Sequence, residues 1–183
     1  MKSTHFYQLK KLSIAAMMLA LALLLPFLTG QLQAIGQMLS PMHIPVLLCG
    51  LICGPIYGFA VGVVAAPLRF LIFGMPQMPN AIYMAAELAL FGLLSGLFYH
   101  ILPKRNLSLY ISLILSMIGG RIAYALTFIF INLSNAKSLE ALVMPIVSAT
   151  ILKAWPGMIL QIVLIPALLI ILQKAKLIPL KKS

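Results

Sequence analysis

Long apolar runs separated by short polar or Gly/Pro-rich breaks dominate the chain, and they are too continuous for helices that keep one face in water. Their positions predict helices at about 10–29, 43–54, 56–73, 79–102, 107–133 and 142–173. The second run is too short to cross a bilayer unaided, since a full crossing takes roughly 20 residues. No long polar segment, low-complexity linker or repeat interrupts the sequence. The expectation is an all-α integral membrane fold, a six-helix bundle forming one transmembrane domain over residues 1–183.

Composition agrees with that pattern. Of 183 residues, 63% are hydrophobic and 8% charged, so nothing would cover the apolar surface in water. The net charge of +11 could suggest nucleic acid, but the positions of the cations argue for a membrane topology. Lys2, Lys10 and Lys11 precede the first run, Lys104 and Arg105 occupy the central break, and Lys174, Lys176, Lys181 and Lys182 close the chain. In the breaks Gly30–Met42, Gly74–Met78 and Ser134–Ala141 only Lys137 is basic. By the positive-inside bias both termini and Pro103–Asn106 are cytoplasmic, in a multi-pass protein of the plasma membrane. Lys10 and Lys11 before Leu12–Thr29 also resemble a cleavable signal. The run is long for one, and its loss would spoil the even count of spans, so it is read as retained.

Four charges fall inside the apolar runs: Arg69, Arg121, Lys153 and Glu87. On insertion scales each charge costs about 2.5–3.5 kcal/mol at a helix centre, so such residues are usually functional. Three cations against one anion point to a small anionic ligand. Each also has a structural reading. Arg69 stands near the end of its run and could snorkel or pair with Glu87. Arg121 follows Gly119-Gly120 at mid-run, where snorkelling is hard and a buried partner or ligand is required. Lys153, just before Trp155-Pro156, has the pattern of an interfacial anchor. Glu87 is either a counter-ion of Arg69 or Arg121, or a hydrogen-bonding group for a ligand.

Asn80, Tyr83, Tyr124, Asn132, Trp155 and Gln161 add polar or aromatic groups to the same runs, as small-ligand pockets require, and helix-to-helix bonding is the alternative. His43 and Pro45 open the second run, where His43 serves as a local backbone partner or a ligand group. Met75, Pro76 and Gln77 form a stiff corner on the outer side. Gly50, Gly54, Gly58 and Gly62 let helices approach closely. Cys49 and Cys53 lack nearby His or carboxylate and read as packing rather than as a metal site.

The missing residues are equally informative. The chain has no Asp and two Glu, hence no paired carboxylates, no acidic metal cluster and no Walker B acid, and it has no P-loop. It is expected to be a non-catalytic subunit without metal or cofactor. Only Glu87 could carry a proton for gradient coupling, so the energy for concentrative transport would come from a partner.

The stretch from Met42-His43-Ile44-Pro45 through Cys49-Gly50-Leu51-Ile52-Cys53-Gly54-Pro55-Ile56-Tyr57-Gly58 belongs to a wider pattern. It continues in Pro67-Leu68-Arg69, Phe73-Gly74-Met75-Pro76, Ala86-Glu87-Leu88 and Gly120-Arg121-Ile122-Ala123-Tyr124. Together these resemble the substrate-binding S components of energy-coupling factor (ECF) transporters, over nearly the whole chain. Ala16-Met17-Met18-Leu19-Ala20 is similar to the small-residue contact that packs the first helix of that family against the coupling subunit. The resemblance implies a six-helix fold that captures a vitamin under its outer loops. It also implies that the subunit topples when it docks on a coupling subunit driven by two ATPases. The pattern is most similar to the pantothenate type. Pantothenate's carboxylate suits an Arg or Lys cluster, and its hydroxyls and amide suit Asn80, Tyr83 and Glu87. Riboflavin and other vitamin carriers share the fold.

Overall fold

The computed structural model describes residues 2–29, 40–103, 106–133, 139–149 and 154–174. Among them are seven α-helices and no strand. They are α1 (Lys2–Leu24), which continues into a 3-10 turn at Leu25–Thr29, α2 (His43–Cys53), α3 (Pro55–Phe73), α4 (Asn80–Ile101), α5 (Asn106–Asn132), α6 (Leu139–Val147) and α7 (Trp155–Lys174). Five of these, α1, α3, α4, α5 and α7, contain segments long and apolar enough to cross a membrane. Large apolar side chains such as Ile56, Leu71 and Phe130 face outward on several helices, a surface that suits hydrocarbon and not water.

Two departures from the expected helices have local causes. The last expected run, 142–173, is two helices: Pro145 lies inside the first, and Pro156 sits in the first turn of the second, α7, where its missing N–H costs nothing and suits a helix start. The first helix begins at Lys2 rather than near residue 10, since no Pro or Gly stands before Pro26. The short second helix is 11 residues long and buried along nearly its whole length. It fits inside the bundle without needing to span it.

Helix α4 is the centre. It packs against α2, α3 and α5, and half of its apolar window is buried, against a third or less in the other spans. Glycines allow this. Gly50 of α2, Gly58 of α3 and Gly92 of α4 meet backbone to backbone, and a Cβ on Gly58 would lie 2.5 Å from Gly92 O. One turn along α4, a Cβ on Gly96 would lie 2.6 Å from both Gly50 O and the Pro55 nitrogen. Gly62 meets the Leu88 carbonyl in the same way. Between helices in lipid the hydrophobic effect gives little, so association rests on such close packing. Ser95 follows this seam and donates its hydroxyl to Gly92 O at 3.2 Å, with Leu47 O at 3.4 Å. On α5, Ser112 and Ser116 return their hydroxyls to the carbonyls of Ser108 and Leu113, each at 2.7 Å, so small polar residues can be buried without a partner helix.

Side-chain contacts fix which ends lie together. Cys53 Sγ, at the end of α2, approaches the Lys11 carbonyl in α1 at 3.5 Å. At the opposite end, Arg69 from the last turn of α3 donates to the Leu23 carbonyl of α1 and packs over the Phe27 and Phe73 rings, with centroids 5.1 and 5.6 Å away. Leu23 lies at the end of the α-helical part of α1, before the 3-10 turn, where carbonyls lose their α-helical partners, and Arg69 supplies the donor. This second end, where α1, α3 and α5 finish and α2, α4 and α7 start, carries the polar residues of interest.

Gly92→Val should lower the thermal unfolding midpoint of the detergent-purified protein by an amount equivalent to about 1–3 kcal/mol or more, whereas Leu71→Val on the outer surface leaves it unchanged. An unaltered midpoint for Gly92→Val would show that α3 and α4 do not depend on this contact.

Candidate functional site

Glu87 is buried in α4, and α5 brings Arg121 to it. Arg121 Nη1 stands 2.6 Å from Glu87 Oε1, an ion pair by distance whose angle still leaves Oε1 without a well-formed hydrogen bond. The approach depends on Gly120, where a Cβ would lie 2.9 Å from the Phe91 ring and 3.1 Å from Glu87 O. The glycine pair and the arginine therefore work as one unit: small residues bring the helix close enough for the charge to pair. Arg121 is 16% and Glu87 3% exposed at the side chain, so the pair is largely removed from solvent.

Helix α2 adds a third member. His43 Nε2 is 3.5 Å from the same Glu87 oxygen, its Nδ1 is 3.2 Å from the Ser40 carbonyl, and its ring meets the edge of Phe91 at 4.9 Å between centroids. Gln161 of α7 reaches the same carbonyl, with Nε2 at 3.5 Å. A continuous polar chain thus runs Gln161, Ser40 O, His43, Glu87, Arg121 and ties α7, α2, α4 and α5 together inside an apolar bundle.

An aromatic group flanks this chain. Tyr83 lies one turn before Glu87 on α4 and meets Tyr124 and Phe128 of α5 at centroid distances of 5.8 and 5.1 Å. Asn132 Nδ2 donates to Tyr83 Oη at 2.7 Å and to the Phe128 carbonyl at 2.9 Å, which fixes the phenol. Tyr124 is within electrostatic reach of Glu87, Tyr83 and Arg121.

Four buried polar atoms have no hydrogen-bond partner among the described residues: His43 Nε2, Glu87 Oε1, Arg121 Nε and Gln161 Oε1. Glu87 Oε1 and His43 Nε2 still lie within ion-pair distance of their neighbours, which leaves Arg121 Nε and Gln161 Oε1 as the donor and acceptor that call for a further partner. Arg121 offers a donor and Gln161 an acceptor, with the tyrosine and phenylalanine rings as apolar wall. That combination suits a small polar molecule.

The expected site residues divide. Tyr83, Glu87, Arg121, Tyr124 and His43 come together. Arg69 is buried but turned to Leu23, Phe27 and Phe73. Asn80 and Trp155 are exposed at the first residues of α4 and α7. Pro45 is buried in the first turn of α2, while in the α3–α4 connection Met75 and Pro76 are half-buried and Gln77 exposed. Lys153 lies outside the described residues. Ala16 and Ala20 are both exposed on α1, whose buried face carries Ala15, Met18 and Ala22. Cys49 and Cys53 are buried free thiols. No group of three or more metal-ligating side chains occurs among the described residues. Ser40, Phe128, Asn132 and Gln161 complete the cluster although none ranked as a principal site residue from sequence. The signal for the last two was an uncharged amide within an apolar run; for Phe128 it was the one-turn spacing from Tyr124.

The family model described as ECF transporter, substrate-specific component, matches residues 10–169. Neither a curated protein nor a solved structure matches the chain.

Removing one member of a buried ion pair strands the other. Glu87→Ala should cost about 3–5 kcal/mol of stability, read as a drop in the thermal midpoint, and Glu87→Ala/Arg121→Ala should recover part of the loss. Strictly additive losses would mean that the two charges do not stabilise each other.

Proposed function

The chain belongs to the substrate-specific component family of ECF transporters, and from that premise we propose that it captures a small anionic vitamin, pantothenate first among them, on the outer side of the plasma membrane. It is a substrate-binding subunit of a membrane transporter, and the power stroke is assigned to a coupling subunit and its two ATPases. In this reading the chain has six membrane helices, counting the short α2, with both termini in the cytoplasm.

One observation carries the ligand assignment: the buried His43–Glu87–Arg121 cluster, with unpartnered atoms at Arg121 Nε and Gln161 Oε1. Arg121 would hold a carboxylate. Gln161 and the Tyr83–Asn132 pair would meet hydroxyl and amide groups of the same molecule. Arg69 has its own carbonyl and aromatic partners, so its proposed part is to hold the ends of α1 and α3 together beneath the Met75–Gln77 corner. Asn80 and Trp155, exposed at the starts of α4 and α7, would approach the ligand only from its rim, and Lys153 is proposed as a further contact. The stacked Tyr124 and Phe128 rings, with Tyr83 across them, favour a second reading in which the vitamin contains a flat ring system, as riboflavin does.

For docking, the exposed face of α1 is the proposed contact. Ala16 and Ala20 stand one turn apart on it, and small residues there would let a partner helix approach closely.

Mass spectrometry of small molecules released from the purified protein should find pantothenate, and calorimetric titration should show saturable binding; a flavin would select the second reading, and no vitamin at all would remove the capture function. Ala16→Leu/Ala20→Leu should leave that binding intact and abolish uptake by cells carrying the complete transporter. Lost binding in detergent would instead make this face part of the ligand site.

A further inference from the structure

His43 is held between two groups that can only accept hydrogen bonds. Its Nδ1 is 3.2 Å from the Ser40 carbonyl and its Nε2 is 3.5 Å from Glu87 Oε1. A neutral imidazole has a single N–H. With that N–H directed to Ser40, the lone pair of the other nitrogen faces a carboxylate oxygen; with the N–H directed to Glu87, a lone pair faces the carbonyl. Either arrangement sets acceptor against acceptor inside a buried site. This assignment of hydrogens follows from the partners, since heavy-atom positions do not show them.

A second proton removes the conflict, whether it rests on His43 or on the Glu87 carboxyl. We propose that the His43–Glu87–Arg121 cluster holds this extra proton and that its resulting net charge of about +1 is what receives the anion, so that proton binding and anion binding are linked. The inference rests on the anionic-vitamin reading above and deepens it. Without the proton, Arg121 and Glu87 cancel, and a bound carboxylate would be a buried charge with nothing to neutralise it. With it, the site and ligand together are neutral.

The surroundings leave His43 and Glu87 as the members able to hold that proton. Helix α2 packs against α1, α3, α4 and α7. On α1, Tyr7, Lys10 and Lys11 lie toward the other end of α2, where Cys53 meets the Lys11 carbonyl. On α3, Tyr57 is near the same far end and Arg69 is engaged with Leu23 and two phenylalanines. On α4, Glu87 faces the histidine, Tyr83 is bonded to Asn132, and Tyr99 and His100 are at the far end. On α7, Lys174 closes the helix, remote from Gln161. Behind Glu87, α5 contributes Arg121 and Tyr124.

The test is calorimetric titration of the full-length protein in detergent with pantothenate, which remains a carboxylate between about pH 5 and 9. The dissociation constant should be flat at the acid end and rise by about tenfold per pH unit once the cluster loses its proton. His43→Asn can still donate to Ser40 but removes the acceptor-against-acceptor conflict, and with it the reason for a second proton on either group; it should bind weakly with no such slope. A flat wild-type profile with binding present, or the wild-type slope persisting in His43→Asn, overturns the linkage and leaves the ligand assignment standing. No pantothenate binding at any pH overturns both. Should His43→Asn fail to fold, nitrogen NMR of the ligand-free protein at neutral pH decides. Two protonated ring nitrogens on His43, or a protonated Glu87 carboxyl by infrared spectroscopy, support the inference, and the absence of both overturns it.

Discussion

A carboxylate cannot be buried in hydrocarbon alone, and Glu87 organises this end of the bundle because of that cost. Its neutralisation draws in Arg121 from α5, and His43 of α2 stands 3.5 Å from the same oxygen. Three helices are tied at one point for an electrostatic reason that no apolar residue could supply. Ser40 and Gln161 extend the tie to α7. Replacing the group by well-packed leucines could give an equally stable bundle, since buried ion pairs are poor sources of net stability. Retaining it therefore points to what the group can bind.

The glycine seam makes that arrangement geometrically possible. With Gly50, Gly58 and Gly92 in backbone contact, α2 and α3 sit against α4 closely enough for an 11-residue helix to be enclosed. The start of α2 is thereby placed beside Glu87. Gly120 does the same for α5 from the other side. Close packing and charge pairing are thus two parts of one arrangement: the first sets distances, the second uses them.

Much of this was legible in the sequence, for identifiable reasons. The boundaries of α2 to α5 follow from Gly and Pro punctuation, which acts locally and so can be read locally. Arg121 and Glu87 are paired almost by scarcity, since the apolar runs contain a single acid. The reading of His43 as a backbone partner matches its contact with Ser40, yet its contact with Glu87 depends on how α2 is seated between helices, which no local pattern encodes. Arg69 shows the same limit. Residue type and depth marked it as significant, but its orientation is set by the Leu23 carbonyl, forty-six positions earlier in the chain. The split of the final run was signalled by Trp155-Pro156, although apolar continuity outweighed that signal.

Trp155 is the sole tryptophan of the chain and stands at the first position of α7, six residues before Gln161. At about 1.5 Å of rise per residue, the indole is roughly 9 Å along the helix axis from the amide that closes the polar chain. The protein therefore has one indole, whose emission is separable from that of its tyrosines and comes from the region where α7 meets the Ser40 turn. Changes in solvation there can be followed optically in the unmodified chain, without a dye and without contributions from indoles elsewhere in the bundle.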